Sequence, residues 1–341
     1  ADRFALPLYN AGRIIGRYGD PKVESYTLFA NAGLPLNDTW SVYGFAGYQH
    51  RDTNAAATAR AYNNANNVAA VYPGGFLPQI ETEIKDVTVQ GGIKGEAAGW
   101  NVDLSANYGK NELDYTVVNS INASYGAASP RTFKAGSLEY SQWIVDLNLS
   151  RTFDVGLVEP LNVAGGLEYR DESFGIGAGE PSSYTVGPDP TKAGVSQGFP
   201  GFRPANEVDV SRHNYAAYID VEGKLTEKFG FDVAGRYEDY SDFGGKGTGK
   251  LALRYDFNDA FALRGAVSTG FKAPALQQQY FTYTSTNNVL VGTTFQLIEV
   301  GTFPVSSPVA RALGAKPLEP ETSVNYALGM VYRAGAFELT V

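Results

Sequence analysis

Residues 229–257 read FGFDVAGRYEDYSDFGGKGTGKLALRYDF. Within them Gly244 and Gly249 bracket four residues and Lys250 follows, which is nearly the G-x-x-x-x-G-K-[ST] loop that cradles nucleotide phosphates. Leu251 stands where the magnesium-binding hydroxyl belongs. The flanks decide the matter. A phosphate loop needs a strand before it and a helix after it, so that a helix N-terminus faces the phosphate. Here both flanks alternate with period 2. Phe229, Phe231, Val233, Gly235 and Tyr237 oppose Asp232, Ala234, Arg236 and Glu238; Leu251, Leu253, Tyr255 and Phe257 oppose Ala252, Arg254 and Asp256. Both flanks therefore read as strands. The glycine stretch between them reads as a β-hairpin connection, with glycines supplying positive φ.

The same alternation recurs along the chain. Val102, Leu104, Ala106 and Tyr108 oppose Asn101, Asp103, Ser105 and Asn107, while Val324, Tyr326, Leu328, Met330 and Tyr332 oppose Asn325, Ala327, Gly329 and Val331. About twelve strands are predicted, over 22–34, 40–51, 84–95, 100–113, 139–152, 160–173, 210–224, 229–241, 246–257, 260–271, 322–333 and 336–341. Most exceed the ~5–6 residues of a soluble strand and suit a tilted membrane crossing of ~9–11 residues.

The connections alternate in length. Tight turns at 37–39, 97–99, near Asp154, at 226–228, 258–259 and 334–335 are interleaved with long intervals at 52–83, 114–138, 174–209 and 272–321; the glycine stretch is the one modest member of the long series. One end of the sheet thus carries turns and the other carries loops, as in outer-membrane barrels. Trp40, Trp100, Phe153, Phe229, Phe257, Phe261, Tyr332 and Phe337 flank the tight turns and match an interfacial aromatic girdle. The polar faces hold Asp146, Glu168, Arg236, Glu238, Arg254, Asp256 and Arg264, charges that a wide wet lumen would accommodate. The fold class read from this is all-β, an antiparallel transmembrane β-barrel.

Composition agrees. The 341 residues include 39 Gly, 22 Tyr, 19 Phe and 3 Trp, no Cys, two His and a formal net charge of −9. That balance argues against a nucleic-acid binder, which wants a basic face. Without Cys there is no disulfide framework or thiolate metal site. No run approaches the ~18 apolar residues of a membrane helix, which leaves barrel strands open because they alternate. Met330 is the only methionine and no signal peptide is visible, so a processed chain or a piece of a longer one is expected.

Five stretches carry a family resemblance. VSTGFKAPALQQQYF (267–281) and KPLEPETSVNYALGMVYR (316–333) resemble barrel signatures of TonB-dependent outer-membrane receptors, at Gly270, Phe271, Lys272, Pro274, Leu318, Pro320 and Glu321. RYEDYSDFG (236–244), NNVAAVYPGGFLPQI (66–80) and GFPGFRP (198–204) are similar to the same family, and in this order they span most of the chain. The resemblance implies a barrel of 22 strands with a plugged lumen. Residues 1–341 would supply about half of it, with the plug domain and the final strands outside, and would form an open partial barrel with two unpaired edges. It also implies an outer-membrane location in a Gram-negative bacterium, among membrane lipid and lipopolysaccharide. The implied function is active uptake driven by TonB with ExbB and ExbD. The implied cargo is a ferric siderophore first and cobalamin or an oligosaccharide second. A passive porin and an outer-membrane enzyme are the rival readings.

Site residues are sought in the loops. Tyr62, Tyr72, Tyr125, Tyr184, Tyr280 and Tyr283 are aromatic contacts on the long connections, and Arg131, Arg170, Arg203 and Arg212 are partners for an anionic ligand. Ordinary loop packing is the competing account for each. Phe271, Lys272 and Pro274 either face the plug or ligand path or, for Pro274, end a strand. The run from Phe174 to Glu180 reads as flexible loop glycine. His50 with Asp52, and His213 with Asp209, are the pairs an enzyme would use, but no nucleophile, base and orienter come together and no histidine pair has metal-ligand spacing. No catalytic residue, metal or cofactor is expected.

Overall fold

The computed structural model describes residues 16–341, the side chains at 287, 288, 290, 294, 295 and 297 excepted. Twelve strands form one antiparallel sheet. They are β1 (Lys22–Pro35), β2 (Ser41–Ala56), β3 (Gln79–Ala97), β4 (Trp100–Val118), β5 (Phe133–Phe153), β6 (Leu161–Ala178), β7 (Val208–Thr226), β8 (Phe229–Tyr240), β9 (Gly244–Asn258), β10 (Phe261–Lys272), β13 (Glu321–Ala334) and β14 (Phe337–Thr340). Between β10 and β13 lie the short helices α1 (Leu276–Tyr280) and α2 (Pro308–Ala312) and a separate hairpin of β11 (Tyr283–Val291) and β12 (Thr294–Thr302). The twelve-stranded sheet is open: among the described residues β1 pairs only with β2, and β14 only with β13.

Side-chain chemistry forms the tight turns. Asn37 Oδ1 accepts from the amides of Thr39 and Trp40. Ala98 and Gly99 both take positive φ, 53° and 77°, which suits the twist of a two-residue hairpin. Thr226 Oγ1 accepts from the amides of Lys228 and Phe229, and Asn258 Oδ1 from that of Ala260. Girdle aromatics meet beside these turns: Trp100 packs edge-on against Phe153 at 5.7 Å, and Phe257 lies 5.4 Å from Phe261.

Register sorts the two faces. Val42, Ile93, Leu104, Leu147, Leu167, Ala217 and Tyr237 stand side by side across β2–β8. One residue along, on the opposite face, stand Tyr43, Gly92, Ser105, Asp146, Glu168, Ala216 and Glu238. The first row is the lipid face and the second the lumen face, as the alternation predicts.

Strands β2–β7 outrun their predicted ends, while β8 and β14 stop short of theirs. β5 has 21 residues, about 70 Å at ~3.3 Å per residue, where a crossing needs only ~9–11. The extra length lies at the loop end, and there the polarity of the faces inverts. On β4, Val102, Leu104 and Tyr108 lie on the lipid face, whereas Leu113, Tyr115 and Val117 lie on the lumen face, with Glu112 and Asp114 outside. β6 changes in the same way, from Leu167 and Tyr169 outside to Phe174 and Ile176 inside. Beyond the membrane the outer wall meets water, and the inner wall meets loops.

Two glycine-rich stretches prove to be strand. The connection between β8 and β9 is only 241–243, because pairing continues to Tyr240 opposite Gly244; of the 244–249 glycines only Gly244 has positive φ. Gly245 is small because the Tyr237 ring occupies the place of its missing Cβ. The run from Phe174 lies in β6 as far as Ala178, with Phe174 and Ile176 buried, so it is no flexible loop.

The face assignment sets opposite costs for neighbouring positions. Leu253→Arg should lose ~2–4 kcal/mol of stability near the midplane, and Ala252→Arg, beside Asp232 on the lumen face, should lose little. Equilibrium unfolding of the two variants of the complete barrel from bilayers checks this.

Candidate ligand-binding site at the barrel mouth

The intervals 57–78, 119–132 and 179–207 knit into a cap on the loop end of the sheet. Asn122, fully buried, sits at its centre. Its Nδ2 donates to the carbonyls of Ser182 and Thr185 at 2.8 and 2.9 Å, and its Oδ1 accepts from Ser124 Oγ at 2.6 Å. Ser120 Oγ donates to the Gln197 carbonyl at 2.7 Å and accepts from the Gln197 amide at 2.9 Å. The Gln197 side chain reaches the third interval, donating to the Asn66 carbonyl and accepting from Arg60 Nε at 2.7 Å.

Beneath this polar knot lies an apolar core that the inverted strand ends supply. Phe174, Ile176, Phe202 and Leu276 are buried together, and Tyr115, Leu138, Tyr140, Val208 and Val210 pack against them. Phe199 stacks on Tyr283 at 5.5 Å with rings nearly parallel, and on Tyr115 at 4.8 Å. The Tyr283 hydroxyl donates to the Pro200 carbonyl at 3.1 Å, and burial pushes its pKa up.

The predicted tyrosines and arginines divide by surroundings. Arg131 lies over the Tyr72 ring at 5.3 Å, and Tyr72 stacks on Phe76 at 4.6 Å. Phe76 in turn bridges Arg60 through the backbone. Burial raises the Tyr72 hydroxyl against the opposing pull of Arg131, and burial lowers Arg60. Among the described residues neither Arg60 nor Arg131 has a carboxylate partner. The other three arginines do: Arg170 pairs with Glu168 at 2.7 Å, Arg203 with Glu299 at 2.5 Å, and Arg212 with Glu172 at 2.7 Å. The Tyr125 hydroxyl bonds Thr185 Oγ1 at 2.9 Å inside the cap, and Tyr184 follows a short 3₁₀ turn at Pro181–Ser183. Tyr280 packs against the Leu276 cluster, and Tyr62 is exposed.

The two signature segments become neighbours. Lys272 pairs with Glu321, Phe271 with Thr322 and Gly270 with Ser323, although about fifty residues separate them in the chain. Leu318 and Pro320 precede β13, and Pro274 lies two residues past the end of β10. The histidines sit apart from the mouth interior. His50 Nε2 lies 3.0 Å from Asp52 Oδ2 and the ring stacks on Tyr26, on the outer wall. Asp209 and His213 share one face of β7 about 13 Å apart at ~3.3 Å per residue, too far to bond.

Lower down, the lumen wall is laced with charge. Glu168 takes both Arg170 and Arg236, Arg236 also holds Glu238 at 2.7 Å, and Glu238 accepts from Asn214 and Tyr240 at 2.9 Å each. Sequence reading located the charges but missed Arg60, Phe199, Phe202, Asn122 and Gln197. GFPGFRP marked the two phenylalanines as part of a signature; no local signal marks the others.

The family described as TonB dependent receptor-like, beta-barrel, matches residues 25–341. The chain belongs to that family. TonB-dependent receptors are β-barrel proteins of the outer membrane. Among curated relatives, the iron-regulated outer membrane virulence protein of Vibrio cholerae is 24% identical over 132 residues, 39% of this chain and 17% of that protein. The probable TonB-dependent siderophore receptor PirA of Acinetobacter baumannii is 29% identical over 120 residues, 35% of this chain and 14% of that protein. The solved siderophore receptor PirA from Acinetobacter baumannii superposes with a TM-score of 0.59 at 17% identity, covering 94% of this chain and 42% of that one. A ferric enterobactin receptor mutant from Pseudomonas aeruginosa in complex with enterobactin gives 0.58 at 15%, covering 98% and 46%. The RagAB peptide importer gives 0.59 at 11%, covering 92% and 38%. At such identities the likeness is one of fold, and this TonB-dependent receptor chain spans less than half the length of these structures.

The cap depends on Asn122. Asn122→Ala should remove the donor from two part-buried carbonyls and leave the buried Ser124 hydroxyl without its acceptor, the last at ~1–3 kcal/mol. Amide exchange should rise across 119–132 and 179–197 and stay unchanged in β3–β7, as hydrogen-exchange mass spectrometry of the complete receptor would read.

Proposed function

We propose that residues 1–341 form part of the barrel of an outer-membrane TonB-dependent active transporter whose cargo is a large, scarce nutrient, a ferric siderophore first. One observation carries the choice of cargo class. Arg131, stacked on Tyr72, and Arg60, held by Gln197 Oε1 and the Thr58 carbonyl, are guanidinium forks without carboxylates among the described residues, whereas Arg170, Arg203 and Arg212 are each paired with one. Ferric siderophores are commonly anionic and carry flat or chelating oxygen groups, and guanidinium forks suit them. Relatives named as iron-regulated and as a siderophore receptor support the same cargo. Cobalamin or an oligosaccharide is the alternative cargo for the same mechanism.

In this reading Tyr72, Arg131 and Arg60 touch the ligand, with Tyr125, Tyr184, Tyr280 and Tyr283 shaping the cavity around it. Arg170, Arg203 and Arg212 act through the carboxylates they hold. TonB, energised by ExbB and ExbD, pulls on the plug of the whole receptor, and outer-membrane lipid and lipopolysaccharide surround the apolar belt. The protein is no enzyme, and His50 and His213 serve packing at the outer wall.

Arg131→Glu in the complete receptor should weaken binding of its ferric siderophore about tenfold to a hundredfold, the value of a hydrogen bond to a charged group. Isothermal titration over a panel of ferric catecholates and hydroxamates reads it; unchanged affinity for every ligand that binds would overturn the site. Collapsing the proton gradient should abolish uptake and leave surface binding intact, whereas sustained uptake would favour the passive porin.

A further inference from the structure

Arg212 lies on the lumen face of β7, and its side chain is only 5% exposed. Nε donates to Glu172 Oε2 at 2.7 Å. Nη1 donates to the Pro274 carbonyl at 2.7 Å and lies 3.4 Å from Asp242 Oδ2. The guanidinium covers the Tyr240 ring at 5.2 Å. The second oxygen of Glu172 accepts from the Tyr140 hydroxyl at 2.5 Å. Asp242 Oδ2 also accepts from Gln279 Nε2 at 2.9 Å, and that amide stands 3.4 Å from the Pro274 carbonyl. Barrel wall, the 241–243 turn and the segment after β10 are therefore joined in one circuit through a single side chain.

We propose that Arg212 is a positioning residue that fastens the 273–283 segment into the barrel mouth, so that Leu276 plugs the apolar core and Tyr280, Phe281 and Tyr283 complete the aromatic wall. The segment cannot place itself. α1 has five residues, far short of the ~12–15 at which a helix begins to hold in water. Proline at 274 offers no amide, so its carbonyl is the group that can be gripped. The grip belongs to arginine, because a planar fork serves a carboxylate and a carbonyl at once, while an ammonium is a single point charge. Burial enforces it. A guanidinium this far from water is tolerated only when its donors are matched, and a freed segment would leave Nη1 only its long 3.4 Å contact with Asp242. Leu276, 1% exposed, adds an apolar peg on the same short segment. This goes beyond the uptake reading, resting on it only for what the aromatic wall would contact.

Cysteine accessibility in the complete receptor tests the proposal without any ligand. In a version lacking other cysteines, Leu276→Cys should label slowly with a membrane-impermeant maleimide. Adding Arg212→Lys should raise the rate about tenfold or more, as a local opening becomes populated, and Gln279→Ala should raise it by less. Val117→Cys, in the neighbouring buried cluster, should stay slow throughout. If Leu276→Cys alone already labels fast, amide exchange across 273–283 in the cysteine-free receptor makes the same comparison. Protection unchanged by both variants would overturn the proposal, as would a rise at Val117→Cys in step, which would report general loosening. A receptor that binds no siderophore would sink the proposed cargo and leave this result standing.

Discussion

Every other feature follows from one constraint: in hydrocarbon a backbone N–H or C=O has no water to turn to, and each left unpaired costs several kcal/mol. The continuous ladder from β1 to β14 answers it. Because the ladder runs sideways, side chains are free to separate by face, and the alternation of period 2 becomes a lipid wall and a lumen wall. Tight turns with Asn, Thr and Gly at fixed places keep successive strands adjacent and in register. A one-residue slip of β6 would carry Glu168 and Arg170 from the lumen face to the outer face together.

The inversion of the faces above the membrane sets where ligand chemistry can sit. Within the belt, apolar side chains are stable outside and charged ones inside. Beyond it, Glu112 and Asp114 are stable outside, and Leu113, Tyr115, Phe174 and Ile176 need cover. The loops provide that cover by folding inward, which brings Phe199, Phe202 and Leu276 onto the inner wall. Loop polarity is then satisfied internally, through Asn122, Ser120 and Gln197. A cap held this way joins the three intervals through hydrogen bonds from buried side chains to backbone. Arg60 and Arg131 stand out there because, among the described residues, neither has a carboxylate partner.

Buried arginines and exposed ones do different work in this mouth. Arg212 spends its donors on the protein, joining three parts of the chain, and Arg203 ties the β11–β12 hairpin to the 198–206 stretch through Glu299 and Thr286. Arg131 rests its guanidinium on a ring and, among the described residues, has no carboxylate partner. The residue type is the same, and only the neighbours separate the roles.

Fold class, the twelve strands of the main sheet and the identity of each face were legible in the sequence, because alternation and turn chemistry are local and every residue of a strand reports its own face; the β11–β12 hairpin, inside what read as one long connection, was not. The signature stretches likewise pointed to the family before any contact was known. Strand ends in β3–β7 were not legible, since the alternation reverses its meaning there: an apolar residue turning inward looks like a strand that has stopped. Phe174–Ala178 and the glycines at 244 and 245 looked like loop for the related reason that glycine is read as freedom, although Gly245 makes room for the Tyr237 ring and Gly175 and Gly177 lie in the β5–β6 ladder. At the mouth, the sequence supplied tyrosines and arginines but could not rank them. Whether a guanidinium is spent on Glu172 or left over Tyr72 depends on residues tens of positions away, brought together by long-range pairing. Only the tertiary structure decides it.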